Sequence, residues 1–201
     1  MAFKLTEWAQ ARRRAVNAPR LVAAVGAGAR FEHGRACRAS RRSGRVSSPT
    51  DGPAEPDEHH RYACHLQALA NVDADDEPTL VNEILQDPDQ VMAESAVARH
   101  IDDRARLLLT DERFPGWAHT MTGVIGERDF LTRRLTEWTL LATIAQDKPW
   151  APAQVTEASD WFQRKAVEVL TSPDALALLA GQGRTRRVRA TAERRQVRRL
   201  T

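Results

Sequence analysis

Apolar residues return at every third or fourth position in one segment after another from His59 onward, and nothing else constrains this chain so strongly. In "EHHRYACHLQALANV" Tyr62, Leu66 and Leu69 share a helical face. "DEPTLVNEILQD" places Leu80, Val81, Ile84 and Leu85 on one side, with Pro78 in the first turn behind acidic residues that suit a helix start. "QDPDQVMAESAVARHIDDRARLLL" restarts at once, with Asp87 as the expected cap, Pro88 as the expected first helical residue, and Val91, Ala98, Ile101, Ala105 and Leu108 as the stripe. "FPGWAHTMTGVIGE" carries Trp117, Met121, Val124 and Ile125. "RDFLTRRLTEWTLLATIAQD" carries Leu131, Leu135, Trp138, Ala142 and Ala145. "APAQVTEASDWFQRKAVEVL" carries Val155, Ala158, Phe162, Ala166 and Val169. Ser172-Pro173 then opens "DALALLAG", with Gly181 as the expected residue after its end. No segment alternates apolar and polar residues between hairpin turns. The pattern predicts an all-α domain of about seven helices, with Trp117, Trp138 and Trp161 as core anchors and Trp150, beside Pro149, nearer the surface.

The chain of 201 residues has room for one domain with appendages. Residues 30–57, including "SRRSGRVSSPTDGPAEPDE", hold almost no large apolar side chain, so residues 1–57 read as a basic, Gly/Ser/Pro-rich, disordered leader. The all-α domain is expected over 58–181, and 182–201 as an Arg-rich C-terminal extension. Charge is segregated in the same way. Residues 1–48 hold eleven basic and two acidic side chains, residues 51–115 five and sixteen, and residues 181–201 eight and one. Only Lys4, Lys148 and Lys165 are lysines, a bias towards arginine that lowers what any one arginine cluster signifies. The early order Arg12–Arg14, Leu21–Ala29 and Ala27-x-Ala29 follows that of an export signal, but Pro19, Arg20, Gly26 and Gly28 interrupt it. No apolar run reaches the ~18 residues of a membrane span. A soluble, cytoplasmic protein is expected, with export as the minor alternative.

Residues 78–104 resemble a HEAT-type helical hairpin. A short helix "PTLVNEILQ" is followed by the break "DP" and the longer helix "DQVMAESAVARHIDD", with Val91, Ala96 and Ala98 at positions where that family carries Val and Ala. The resemblance implies a protein-binding scaffold. A true array needs at least three such units, and no second copy aligns at a fixed period.

Chemistry-bearing spacings are few. His33-x-x-x-Cys37 and His60-x-x-x-Cys64 could in principle supply zinc ligands, since residues four apart share a helix face. Standard finger spacings are absent, so no metal is expected and His60 and Cys64 stand only as weak candidates. "VGAG" at 25–28 fails as a dinucleotide loop, because Phe31 stands where the third glycine belongs. "DADDE" at 73–77 fails as a calcium loop, because Ile84 falls where the bidentate Glu belongs. His100, Asp102 and Asp103 form the one compact His/Asp group, expected as a surface or satisfied pair of His100 with Asp103 or Arg104. Glu127, Asp129, Arg133, Arg134 and Glu137 read as a solvated helix face. No P-loop and no G-x-S-x-G elbow occurs, so no catalytic residue and no cofactor is assigned, and an enzyme ranks last. A helix-turn-helix over residues 140–170 would offer Gln163, Arg164 and Glu168, yet Trp161 and Phe162 would burden its groove side.

The leading expectation is a binding or scaffold protein whose partner is another protein, with the acidic stretch 73–112 facing a basic partner or the chain's own tail. The alternative is a nucleic-acid-associated protein that grips through Arg184, Arg186, Arg187, Arg194, Arg195, Arg198 and Arg199. Val188, Val197 and Leu200 are the tail's only large apolar residues, too few to drive burial. Weak, non-specific nucleic-acid binding is expected, and no membrane partner.

Overall fold

A computed structural model describes residues 58–200, with side chains from 59 to 198. The described residues are all-helical and contain no strand. Among the described residues nine helices follow in order: α1 (Glu58–Asn71), α2 (Glu77–Ile84), α3 (Gln90–Leu108), α4 (Phe114–Ile125), α5 (Asp129–Ala145), α6 (Pro152–Thr156), α7 (Asp160–Val169), α8 (Pro173–Gln182) and α9 (Arg186–Leu200). The sequence pattern resolves only about seven, because α6 has five residues and α9 hides in the arginine run.

Helix starts follow local chemistry. Asp89, not Asp87, caps α3: its Oδ1 accepts from the Met92 amide at 3.0 Å, while Asp87 Oδ1 accepts from the Asp89 amide at 2.9 Å. Pro88 therefore lies before the helix, not inside its first turn. Val91, in the first turn, is 79% exposed, where the seven-residue repeat places it in the core. Ser159 and Ser172 cap α7 and α8 by accepting from the Phe162 and Ala175 amides. Thr185 Oγ1 accepts from the Val188 amide at 3.2 Å and opens α9 the same way. Helix α5 ends with the Lys148 amide on the Thr143 carbonyl and the Asp147 amide on the Ile144 carbonyl. Asp147 takes φ 53° there, the left-handed position that glycine usually fills. Helix α8 runs one residue past Gly181, so the break falls at Gly183 instead.

Packing follows a simple rule. Each odd-numbered helix packs on the next, α1 on α3, α3 on α5, α5 on α7 and α7 on α9, while α2 packs on α4 and α6 on α8. In three of these pairs the side-chain contacts show the two helices running in the same direction. Asp102 of α3 meets Arg134 and Trp138 of α5, and further along the Leu109 carbonyl meets Gln146. Glu77 meets Trp117, and further along the Leu85 carbonyl meets Arg128. Gln163 of α7 meets Arg184, and the Val167 carbonyl meets Arg195. Consecutive helices α2 and α3 run oppositely, since Glu77 at the start of one meets His100 and Arg104 near the end of the other.

The core lies between these layers. Val81, Ile101, Met121, Ile125, Leu131, Trp138, Phe162 and Leu179 are wholly or almost wholly buried. Trp138 stacks edge-on against Trp161 at 5.8 Å between ring centroids. Burial of ~150–250 Å² of such a ring is favourable by several kcal/mol before ordering entropy is subtracted. Trp117 and Trp150 are only partly buried but pack against the same core.

Candidate polyanion-binding surface

Two groups of ionisable side chains stand out, one buried and one exposed. The buried group centres on Glu77, which is 2% exposed. Its Oε1 accepts from His100 Nε2 at 2.7 Å and from the Trp117 indole at 2.9 Å, and the Arg104 guanidinium lies 3.3 Å from Oε2. Burial alone would push the Glu77 carboxyl up. The hydrogen bonds from His100 and Trp117, with the positive charges of His100 and Arg104, outweigh it and hold the carboxyl below its usual value. The pair His100 with Asp103 or Arg104 expected from sequence is thus corrected: His100 reaches back 23 residues to Glu77. A carboxylate and an imidazole in contact resemble an acid/base pair, but both are sealed from solvent, so they join α2, α3 and α4 instead of meeting a substrate.

A second network crosses the exposed side of the odd-numbered helices. Asp102 accepts from Arg134 at 2.9 Å and from the Trp138 indole at 2.7 Å. The Arg134 guanidinium lies 3.8 Å above the Trp161 ring. Arg134 therefore leaves the solvated face that its spacing suggests, and its side chain is 15% exposed. Arg106 of α3 pairs with Glu168 of α7, which also accepts from Lys165 at 3.0 Å. Those two cations hold the Glu168 carboxyl below its ordinary value against a burial effect that raises it.

The C-terminal helix is built differently. Its start is held by Gln163, fully buried on α7, which donates to the Val155 and Thr156 carbonyls and accepts from the Arg184 amide at 2.8 Å. Gly183 fits where no side chain could: an added Cβ would lie 2.5 Å from the Leu179 carbonyl oxygen and 2.8 Å from Val188. Val188 and Ala192 are buried at 1% and 0%, which corrects the expectation that the tail cannot bury an apolar face. Two small contacts suffice because α7 and α8 supply the rest of the interface.

The arginines of this segment divide into inward and outward sets. Arg195 is part-buried and donates to the Val167 carbonyl at 2.7 Å, and Arg189 donates to the Gly183 carbonyl at 2.6 Å. Arg184 lies 3.5 Å from Asp160. Arg186, Arg187, Arg194 and Arg198 are exposed and have no acidic partner among the described residues; Arg194 donates only to Thr191 Oγ1. Arg184, Arg186, Arg187, Arg194 and Arg198 form no ion pair with the acidic stretch 73–112 among the described residues. The Arg199 side chain lies outside the described residues.

The metal candidates separate as well. Cys64 Sγ and His60 Nε2 are 3.6 Å apart on an exposed face of α1, but His65 turns to Asp87 at 3.0 Å. No group of three His, Cys, Asp or Glu that could hold an ion occurs among the described residues, and His33 and Cys37 lie outside them. No described helix is long and apolar enough to cross a membrane. No family model, curated protein or solved structure matches the chain.

Proposed function

We propose that this chain is a helical-repeat binding scaffold, HEAT-like in the order of its helix pairs, which engages a protein partner across the exposed side of its odd-numbered helices. The observation that carries the reading is the packing order: α1, α3, α5, α7 and α9 meet in succession. Same-direction neighbours within a layer are a property of stacked helical hairpins. Contacts join residues 40 and 43 apart between α2 and α4, 32 to 37 apart between α3 and α5, and 21 and 28 apart between α7 and the α9 segment. The α2–α4 separations match the ~40–47 residues of HEAT-type repeats, and the later units are shorter. Such a stack offers one long surface among the described residues, which suits binding of a partner.

Site-specific photo-cross-linking in the source cell tests it. Probes at Arg99, Arg133 and Arg164 sample exposed positions of α3, α5 and α7, and probes at Glu83, Thr120 and Ala177 sample exposed positions of α2, α4 and α8. The scaffold reading expects the same cross-linked partner from the first set and little from the second. Equal or stronger cross-linking from the second set would overturn it.

A further inference from the structure

We infer that the outward arginines of α9 form a docking strip for the phosphate backbone of double-stranded nucleic acid. The inference stands apart from the scaffold reading, because it concerns a different ligand and rests on the side chains of α9, sharing only Arg164 with the positions probed above. On a helix of 3.6 residues per turn, Arg187, Arg194 and Arg198 project within a sector of about 40°. Arg187 to Arg198 spans about 16 Å at 1.5 Å per residue, about five base-pair steps of duplex. Arg164 of α7, the helix on which α9 packs, is exposed as well and has no acidic partner among the described residues.

Preparation of the strip is what separates it from an arginine-rich coil. The Thr185 cap, the Gln163 bond to the Arg184 amide and the burial of Val188 and Ala192 order the backbone before any ligand arrives. Arg195 and Arg189 are turned away to carbonyl groups, so the ordered helix presents only the remaining guanidiniums to solvent. On α3 and α5, by contrast, three arginines are taken up by carboxylates: Arg99 by Asp103, Arg106 by Glu168 and Arg134 by Asp102. A guanidinium without a carboxylate can take two phosphate oxygens at once.

The neighbourhood of the strip narrows the ligand. Single strands are held by stacking on aromatic rings, and α9 contains none. A membrane surface takes a helix through its apolar face, and the apolar face of α9 is already buried in the core. An acidic protein partner would be expected to bring apolar anchors, and Val197 is the only large exposed apolar side chain on the described part of α9. Phosphate contact without base reading is what remains, and it predicts binding that ignores sequence.

The test is fluorescence anisotropy of the full chain with a labelled 20-base-pair duplex and with the matching single strand, from 50 to 300 mM salt. With Arg164, Arg187, Arg194 and Arg198 each meeting one phosphate, the plot of log K against log salt gains a slope of about −3.6 from this surface. That is a loss of about a hundred-fold in affinity between 50 and 200 mM. The variant R187A/R194A/R198A should keep its melting temperature and lose about 2.7 units of slope, whatever other basic segments contribute. The lysine triple R187K/R194K/R198K should retain the slope. Equal slopes for the native chain and the alanine triple would overturn the inference. So would tighter binding of the single strand, or competition by polyglutamate as effective as that by unlabelled duplex at equal charge.

Discussion

The Glu77 junction and the outward side of α9 both concentrate charge, but they treat it in opposite ways. At Glu77 one carboxylate meets His100, Trp117 and Arg104 out of water, and three helices are joined by the result. On α9 four exposed guanidiniums form no ion pair among the described residues, although Glu193 lies on the same helix. A buried charge must be matched by its own chain, or the helices that bury it do not assemble. A surface charge carries no such obligation, so leaving it unmatched costs the fold little and keeps it available. The difference separates charge that builds the molecule from charge that the molecule can offer.

The largest effect should come from removing the carboxylate at the junction. Glu77→Ala leaves His100 and Arg104 facing each other with no anion, and a loss of about 3–5 kcal/mol is expected, as for other broken buried pairs. Denaturant titration checks this. A loss under about 1 kcal/mol would break the comparison by making the junction as dispensable as surface charge.

The Gln163 tether comes next. Gln163→Leu strips the Arg184 amide and two carbonyls of their partner, with an expected cost of about 1–3 kcal/mol. Hydrogen exchange should quicken in α9 before it quickens in α3. Gly183→Ala should act in the same direction by about 1–3 kcal/mol, since its Cβ would meet a backbone oxygen at 2.5 Å. Unchanged exchange in α9 with both substitutions would show that the helix needs neither tether.

Acid should separate the two regions further. The Glu77 carboxyl is held below its usual value of 4.5 in the folded state, so its contribution to stability is fully present above about pH 4.5. It is lost as pH falls through the lower, folded value, because the unfolded chain binds the proton first. Urea midpoints between pH 7 and pH 3 should fall, and Glu77→Gln should flatten that decline. R187A/R194A/R198A removes no carboxylate or imidazole and should leave the pH profile unaltered.

The smallest effect on stability belongs to the α9 arginines themselves. Each exposed substitution should change stability by no more than about 0.5 kcal/mol. A triple variant that melts many degrees lower would sharpen the comparison against us, because it would make the strip part of the fold.

Much of the fold was legible from residue spacing. Leu131, Leu135 and Trp138 repeat at helical spacing, and all three are buried on α5. Ser172-Pro173 announces α8, and the structure shows the Ser172 side chain capping it. Val91 repeats just as regularly yet faces solvent, because spacing along α3 does not show whether another helix covers its first turn. The Glu77 junction was not legible, since its members are 23 and 40 residues apart and no local pattern links them. Arg134 looked like solvated surface because spacing along α5 cannot reveal Asp102 or Trp161 on neighbouring helices.

By itself the sequence determined that the described body would be helical, where most of its helices would begin, and that positive charge would gather in the last twenty residues. These are local matters, settled by apolar spacing, by Ser, Asp and Pro at helix starts, and by composition. Tertiary structure decided which charges would be matched and which left open. It turned Arg195 inward to the Val167 carbonyl and left Arg187, Arg194 and Arg198 facing water on the same helix. The residue type is identical at all four positions, and the order of arginines along the chain does not distinguish them. What distinguishes them is the side of α9 that packs on α7 and α8, and burial there is set by Val188 and Ala192 of α9 acting together with Gln163 of α7.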